Sequence, residues 1–268
     1  MAVSNLHQGV IAGAAQPTGA VFDPNLILNS IYLHGSGTSG DSMTRTSRTP
    51  GNRNRWLFGT WYHPLRVPLA SGDRITIFAA GASGAGFYLS HEEDGDIRLF
   101  HRDESGNEGA VVTTEFYRDA TSWIHILVDY DSANANSADR LTMYVNGEKV
   151  GVNSGTRPAQ NKSIMVNTEG EIERIGQDFS TTPNYHGAMY LAQTFLMDNK
   201  SIVNGDHATT DFLDTFAFGT HGSQIIPKSN DDIKTLVAAA GVNSFFLNYE
   251  DTTDKGSVDG MTRDRKAT

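Results

Sequence analysis

The stretch 139-DRLTMYVNGEKVG-151 decides the fold. Leu141, Met143 and Val145 alternate with Thr142 and Tyr144, the period-2 pattern of a strand with two different faces. The run ends on Asn146-Gly147, and a second run begins at once. Asn-Gly tolerates the two positive φ angles of a type I′ turn, so 140–146 and 148–152 read as a tight antiparallel hairpin. The preceding segment, 122-SWIHILVDYD-131, alternates as well. Ile124, Ile126, Val128 and Tyr130 would share one face, with Trp123, His125, Leu127 and Asp129 on the other. Both sets carry apolar bulk, as in an inner strand, and His125 reads as a structural histidine inside it.

Similar short runs recur along the chain. They include 55-RWLFGTWYH-63, 74-RITIFAAG-81, 86-GFYLSHE-92, 96-DIRLFHR-102, 187-GAMYLAQTFLM-197 and 243-NSFFLNYE-250. Asp94-Gly95 marks a second hairpin, also read as type I′. Only 230-NDDIKTLVAAAG-241 has early acids and a closing glycine, and it is expected to be a helix in a long connection. Frequent strands without helical periodicity between them mean an all-β sandwich or barrel. Residues 1–26 read as an extended N-terminal arm, 27–259 as the sandwich and 260–268 as a tail. The segment 203–240 carries no other motif.

Composition narrows the functional classes. The chain has 268 residues, a net charge of -10 and no cysteine. Disulfides and cysteine-ligated zinc are excluded. An acidic surface repels nucleic-acid backbones, so no nucleic-acid partner is expected. The basic cluster Arg45, Arg48, Arg53 and Arg55 reads as a solvated loop. No apolar run approaches the roughly 18 residues that would cross a bilayer, and no membrane partner is expected. No Lys or Arg precedes the mildly apolar part of the N-terminus, which makes it a poor secretory signal and implies synthesis in the cytoplasm.

Four segments, in order, carry a resemblance. The series 123-WIHILVDYDSANANSADRLTMYVNGEKV-150 and 175-IGQDFSTTPNYHGAMYLAQTFLMDNKSI-202 is similar to the concanavalin A-like, laminin-G-like domains. The stretches 50-PGNRNRWLFGTWYHPL-65 and 241-GVNSFFLNYEDTTDKGSVD-259 resemble the opening and closing strands of such domains in bacteriophage and marine-virus structural proteins. The family's Asp-Gly after the 187–197 strand is Asp198-Asn199 here, and 260–268 stops short of the viral group's usual ending. The resemblance implies a two-sheet jelly-roll sandwich. It also implies a non-enzymatic virion component, made in the host cytoplasm: a head-fibre, capsid-decoration or tail-fibre subunit. Its implied partners are other virion proteins, further copies of itself, and host-surface glycans. A laminarinase-like glycoside hydrolase and a free-standing lectin are the alternatives on this fold.

Candidate chemistry falls into three groups. Glu169, Glu171 and Glu173 alternate, and in a strand their carboxylates would share one face as a glucanase requires. The residues between them do not follow the glucanase pattern, so no catalytic residue is assigned. Asp129 and Asp131 supply oxygen ligands of the kind calcium takes, the one ion the resemblance allows where no cofactor is otherwise expected. Sugar recognition needs aromatic faces and planar polar groups. Asp178, Asn184, Tyr185 and His186, in a Pro/Asn-rich rim loop, are the glycan-binding expectation. Trp56, Trp61 and Trp123 lie within strands and are expected in the core. The stretch 81-GASGAG-86 lacks the Lys-Ser/Thr of a phosphate loop and reads as a connection.

Overall fold

The structure, a computed structural model, describes residues 29–250 apart from 38, 48, 69–70, 83–84, 154, 180–184, 203–217 and 222–223. The arm 1–26 and the tail 260–268 therefore lie outside the described residues.

Two antiparallel sheets pack face to face. The larger runs β11 (Glu148–Lys149), β10 (Leu141–Val145), β9 (Ile124–Asp131), β4 (Arg55–Pro64), β13 (His186–Asp198), β1 (Ile31–Gly37) and β2 (Ser39–Gly40). The long β13 pairs with β4 along one edge. Along the other it meets β1 with its first half and β16 (Phe245–Leu247) with its second. The smaller sheet runs β3 (Met43–Thr46), β12 (Ile172–Ile175), β5 (Arg74–Ala82), β6 (Ala85–Glu92), β7 (Ile97–Arg102) and β8 (Glu108–Val112). A separate hairpin joins β14 (Phe218–His221) to β15 (Gln224–Pro227). This is the two-sheet jelly-roll sandwich that the resemblance implied.

The alternation decides which side chains meet. Ile126, Val128 and Tyr130 point into the core with Phe58, Phe87 and Leu99. Trp56 stacks on Tyr130 at 5.3 Å and meets the edge of Phe87 at 5.0 Å. Leu127 and His125 take the other face of the same strand, as the period of two requires. Trp61 and Trp123 correct the expectation, because both belong to that outer face. Trp61 is buried there against His125, and Trp123 is only half-buried.

The Asn146-Gly147 hairpin has φ of +49° and +85°, the pair a type I′ turn needs. The second hairpin differs from its reading. Gly95 alone takes positive φ, Gly95 N donates to Glu92 O, and Glu92 N donates to Asp96 O. That is a type I turn with a left-handed glycine forming a bulge, the usual answer when one more residue must be accommodated.

The expected helix is α1 (Asn230–Ala238), and the Ser229 hydroxyl caps it by accepting from Asp232 N. Its Ile233 and Val237 pack on Leu57, Leu127 and Phe195, covering part of the outer face of the larger sheet. Arg45, Arg53 and Arg55 do not form a solvated loop, and Arg48 lies outside the described residues. Arg45 lies in β3, half-buried, and binds the fully buried Glu173 at 2.7 Å. Arg53 Nε donates to Ile164 O, and Arg55 pairs with Asp131.

Candidate functional site

The outer face of the smaller sheet carries a slab of aromatic rings edged with guanidinium groups. Register sets it up: Tyr88 on β6 lies directly opposite Phe100 on β7. Their rings stack 4.9 Å apart, 12° from parallel. Phe179 closes the slab at 6.0 Å from Tyr88 and 6.2 Å from Phe100. Arg98, Phe100 and Arg102 alternate with core residues along 97-IRLFHR-102, so all three stand on this outer face.

The guanidinium groups are engaged to different degrees. Arg74 lies over the rings of Tyr88 and Tyr185, 4.4 and 3.6 Å from their centroids. It also donates to the Tyr88 hydroxyl at 2.9 Å and to Asp178 at 3.3 Å. Arg102 sits 5.7 Å from the Phe100 ring and pairs with Glu108. Arg98 sits 6.0 Å from Tyr88 and 5.8 Å from Phe100. No carboxylate pairs with it among the described residues, and its buried Nε has no hydrogen-bond partner. Burial pushes the Tyr88 phenol up, against the pull of Arg74 and Arg98, so it stays a neutral donor and acceptor.

The sequence-predicted residues divide across this geometry. Asp178 and Tyr185 meet at Arg74, at one end of the slab. His186 faces the opposite way and is buried against Gly35 and Gly40 on the larger sheet. Asn184 lies outside the described residues. Sequence reading missed Arg74, Tyr88, Arg98 and Phe100. The period-2 spacing of Arg98, Phe100 and Arg102 was the available signal, and only the pairing with Tyr88 turns it into a surface.

Asp129 and Asp131 share the outer face of β9 and take protein partners. Asp129 accepts from Ser201 Oγ at 3.2 Å and from Ile202 N at 3.0 Å. Asp131 accepts from Ala133 N and pairs with Arg55. Among the described residues no three His, Asp or Glu side chains gather as a metal-binding set.

The glutamate trio does not form an open acidic groove. Gly170 takes φ of +81°, and β12 begins only at Ile172, so Glu169 and Glu171 belong to a turn. Glu173 is fully buried, held by Arg45 and accepting from Asn167 N at 2.9 Å. The retaining-glycosidase geometry, two carboxylates facing one open site, is not built from these three.

A buried polar knot gathers the motif residues at one end of the sandwich. The Asp198 carboxylate accepts from Asn52 N at 2.7 Å and from Asn167 Nδ2 and Asn243 N at 3.3 Å each. Asp198 N donates to Ser244 Oγ, and Asp198 O accepts from Gly241 N. A Cβ on Gly51 or Gly241 would come within 2.8 or 2.4 Å of that carboxylate, so neither position has room for a side chain. The segment 50–65 thus meets Gly241, Asn243 and Ser244, at the start of 241–259, in one structural contact. An open polar cavity of about 560 Å³ beside it is lined by Asn52, Arg53, Asn54, Ser163 and Asn199.

The chain belongs to the concanavalin A-like lectin/glucanases superfamily, whose laminin-G family model matches residues 36–193, more than half of the 268. No curated protein matches it. Among solved structures it is similar to a heptameric SAP-like pentraxin from Limulus polyphemus, at 13% identity and a TM-score of 0.51. That match covers 78% of this chain and 91% of the pentraxin. It is also similar to domains LG4-5 of the mouse laminin α1 chain, at 11% identity and a TM-score of 0.45, covering 68% of this chain and 45% of that one. A third similar structure is the Ruminococcus gnavus IT-sialidase CBM40 bound to α2,3 sialyllactose. There the identity is 10%, the TM-score 0.39 and the coverage 58% of this chain and 92% of that one.

Proposed function

We propose that the chain is a non-catalytic glycan-binding module, presented by a virion structural or adhesion protein to sugars on the host surface. The observation that carries the binding role is Arg98. It is an arginine on an aromatic slab with no carboxylate partner among the described residues, beside the half-buried ring of Phe100. A pyranose would lay its C–H face on Phe100, and a carboxylate or sulfate on the same sugar would accept from the Arg98 guanidinium. Arg74, whose two terminal nitrogens are held by Tyr88 and Asp178, would fix the end of the slab. The virion setting rests on the likeness of 50–65 and 241–259 to viral structural domains. It entails assembly with other virion proteins and with further copies of the chain.

A glycan array with the purified protein, run with calcium and with chelator, tests the binding role. Selective binding to acidic glycans is expected, with loss in Arg98→Ala. Binding that survives chelator places no metal in the site. An array with no bound glycan sinks the reading. So does turnover of a β-glucan that Glu171→Gln abolishes, since that would make the protein a hydrolase. For the virion role, deleting 1–26 should prevent incorporation into particles, and unchanged incorporation removes the arm as an anchor.

A further inference from the structure

The opposite face of the sandwich carries a second aromatic feature, on the part of the larger sheet that α1 leaves uncovered. Four rings form a row straight across the strands. Tyr32 on β1 lies opposite Tyr190 on β13, and Tyr190 opposite His63 on β4. Trp123, just before β9, comes next. Centroid separations along the row are 5.1, 6.0 and 5.4 Å. His34 extends it at 6.4 Å from Tyr32. These steps follow the strand spacing of about 4.8 Å, which the tilt of the rings lengthens.

The row is neither core nor a closed network. Tyr32 is 44% exposed and the neighbouring Leu65 40%. They are two of the five large apolar side chains exposed among the described residues, which marks a patch rather than scatter. Tyr190 and Trp123 are half-buried. Among the described residues, neither tyrosine hydroxyl nor Trp123 Nε1 has a protein hydrogen-bond partner. His63, only 8% exposed, likewise leaves Nδ1 without one. The exposed Asp119 carboxylate stands within electrostatic reach of His63 and itself accepts from Thr121 and Ser122.

We propose that this row is a second saccharide site, independent of the Arg98 face, that takes a linear chain of neutral sugars laid across the strands. Tilted rings with unused polar tips suit such a ligand, because a sugar presents C–H faces to stack and hydroxyls to bond at every residue. No arginine or lysine belongs to the row, so an anionic group finds no partner there. A protein partner would be expected to bring its own apolar side chains, whereas here each ring pairs an apolar face with an open hydrogen-bonding atom.

The test is affinity electrophoresis of the full chain through native gels containing laminarin, xylan, mannan or dextran. At least one should retard the wild type. Tyr32→Ala and Trp123→Ala should bind about tenfold more weakly, the loss of one stacked ring. Near-UV circular dichroism confirms the fold of each variant, and Trp123→Phe, which keeps a ring, should retain most of the binding. Arg98→Ala should migrate as wild type in these gels, although it loses acidic glycans, so the two sites fail separately. Absence of retardation in all four gels overturns the proposal, as does equal retardation of wild type and both alanine variants. A wild type that sediments as a dimer, with Tyr32→Ala a monomer, also overturns it by assigning the row to a second copy of the chain.

Discussion

The two outer faces of the sandwich use the same residue types in opposite ways. On the smaller sheet most polar groups are consumed by the protein itself: Arg74 by Asp178 and two tyrosines, Arg102 by Glu108. Arg98 is the exception. On the larger sheet the row from Tyr32 to Trp123 keeps its hydroxyls and ring nitrogens uncommitted among the described residues. A polar group already satisfied stabilises the fold and adds little to a ligand, whereas an unsatisfied one is desolvated by whatever binds there and must be paired by it. Function is therefore sought where the polar ledger stays open, and stability where it is closed.

The contrast breaks most severely at the Asp198 knot, where every oxygen of Asp198 has a donor. Asp198→Ala should cost about 3–5 kcal/mol in urea unfolding, because Asn52, Asn167 and Asn243 lose their shared acceptor in a buried place. A loss below about 1 kcal/mol would mean that satisfied groups do not carry the fold.

Acid probes the buried histidines next. Burial pushes His125, beneath the aromatic row, down to about 3. It pushes His91, bonded to Tyr62, down to about 4, while nearby backbone carbonyls pull the other way. Both lie below the ordinary value of about 6.5, so between there and pH 4 the unfolded chain holds protons the folded chain lacks. Stability should be full above that ordinary value. It should fall as pH is lowered, by up to about 2.7 kcal/mol per unit while both histidines contribute. Denaturant midpoints from pH 7 to pH 4 measure it, and His125→Gln should roughly halve the slope. A flat profile would show that both rings protonate without cost.

Within the smaller sheet's face, Arg74→Ala and Arg98→Ala sharpen the comparison. Arg74→Ala should lower stability by about 1–2 kcal/mol, since it removes the ion pair to a buried Asp178. Arg98→Ala should change stability by less than about 0.5 kcal/mol while abolishing binding to acidic glycans. Equal thermal shifts for the two variants would erase the distinction between spent and unspent arginines.

Much of the fold was written locally. Asn146-Gly147 names its own turn, and alternation along 122–131 correctly sorts Ile126 from Leu127. Alternation does not say which sorted face is the core, and so Trp61 and Trp123 were misplaced. The charged run Arg45–Arg55 looked solvated because its partners are remote: Glu173 is 128 residues from Arg45, and Asp131 is 76 from Arg55. The glutamate trio looked like a strand face until Gly170 broke the period. At the site, Asp178 and Tyr185 were legible as loop residues rich in recognition chemistry. Arg98 and Phe100 were not, since their meaning depends on Tyr88 standing opposite. The Tyr32 row was least legible, being assembled from four segments that share no motif.

Asp198 has one more consequence. The chain leaves the sandwich there and comes back at Gly241, whose amide closes on Asp198 O at 2.8 Å. The intervening excursion hangs from that hook and from ties at Asp129, which accepts from Ser201 and Ile202, and at Gln193, which donates to Lys228 O and Asn230 Oδ1. Loop-closure cost grows only slowly with length, so what hangs there can be lengthened, trimmed or exchanged while the sheets stay in register. Besides those ties, the excursion must supply a lid, since something must replace Ile233 and Val237 over Leu57, Leu127 and Phe195. A scaffold with such a hook can diversify by swapping pendants, and a foreign helix with two apolar residues one turn apart is the smallest graft that should hold.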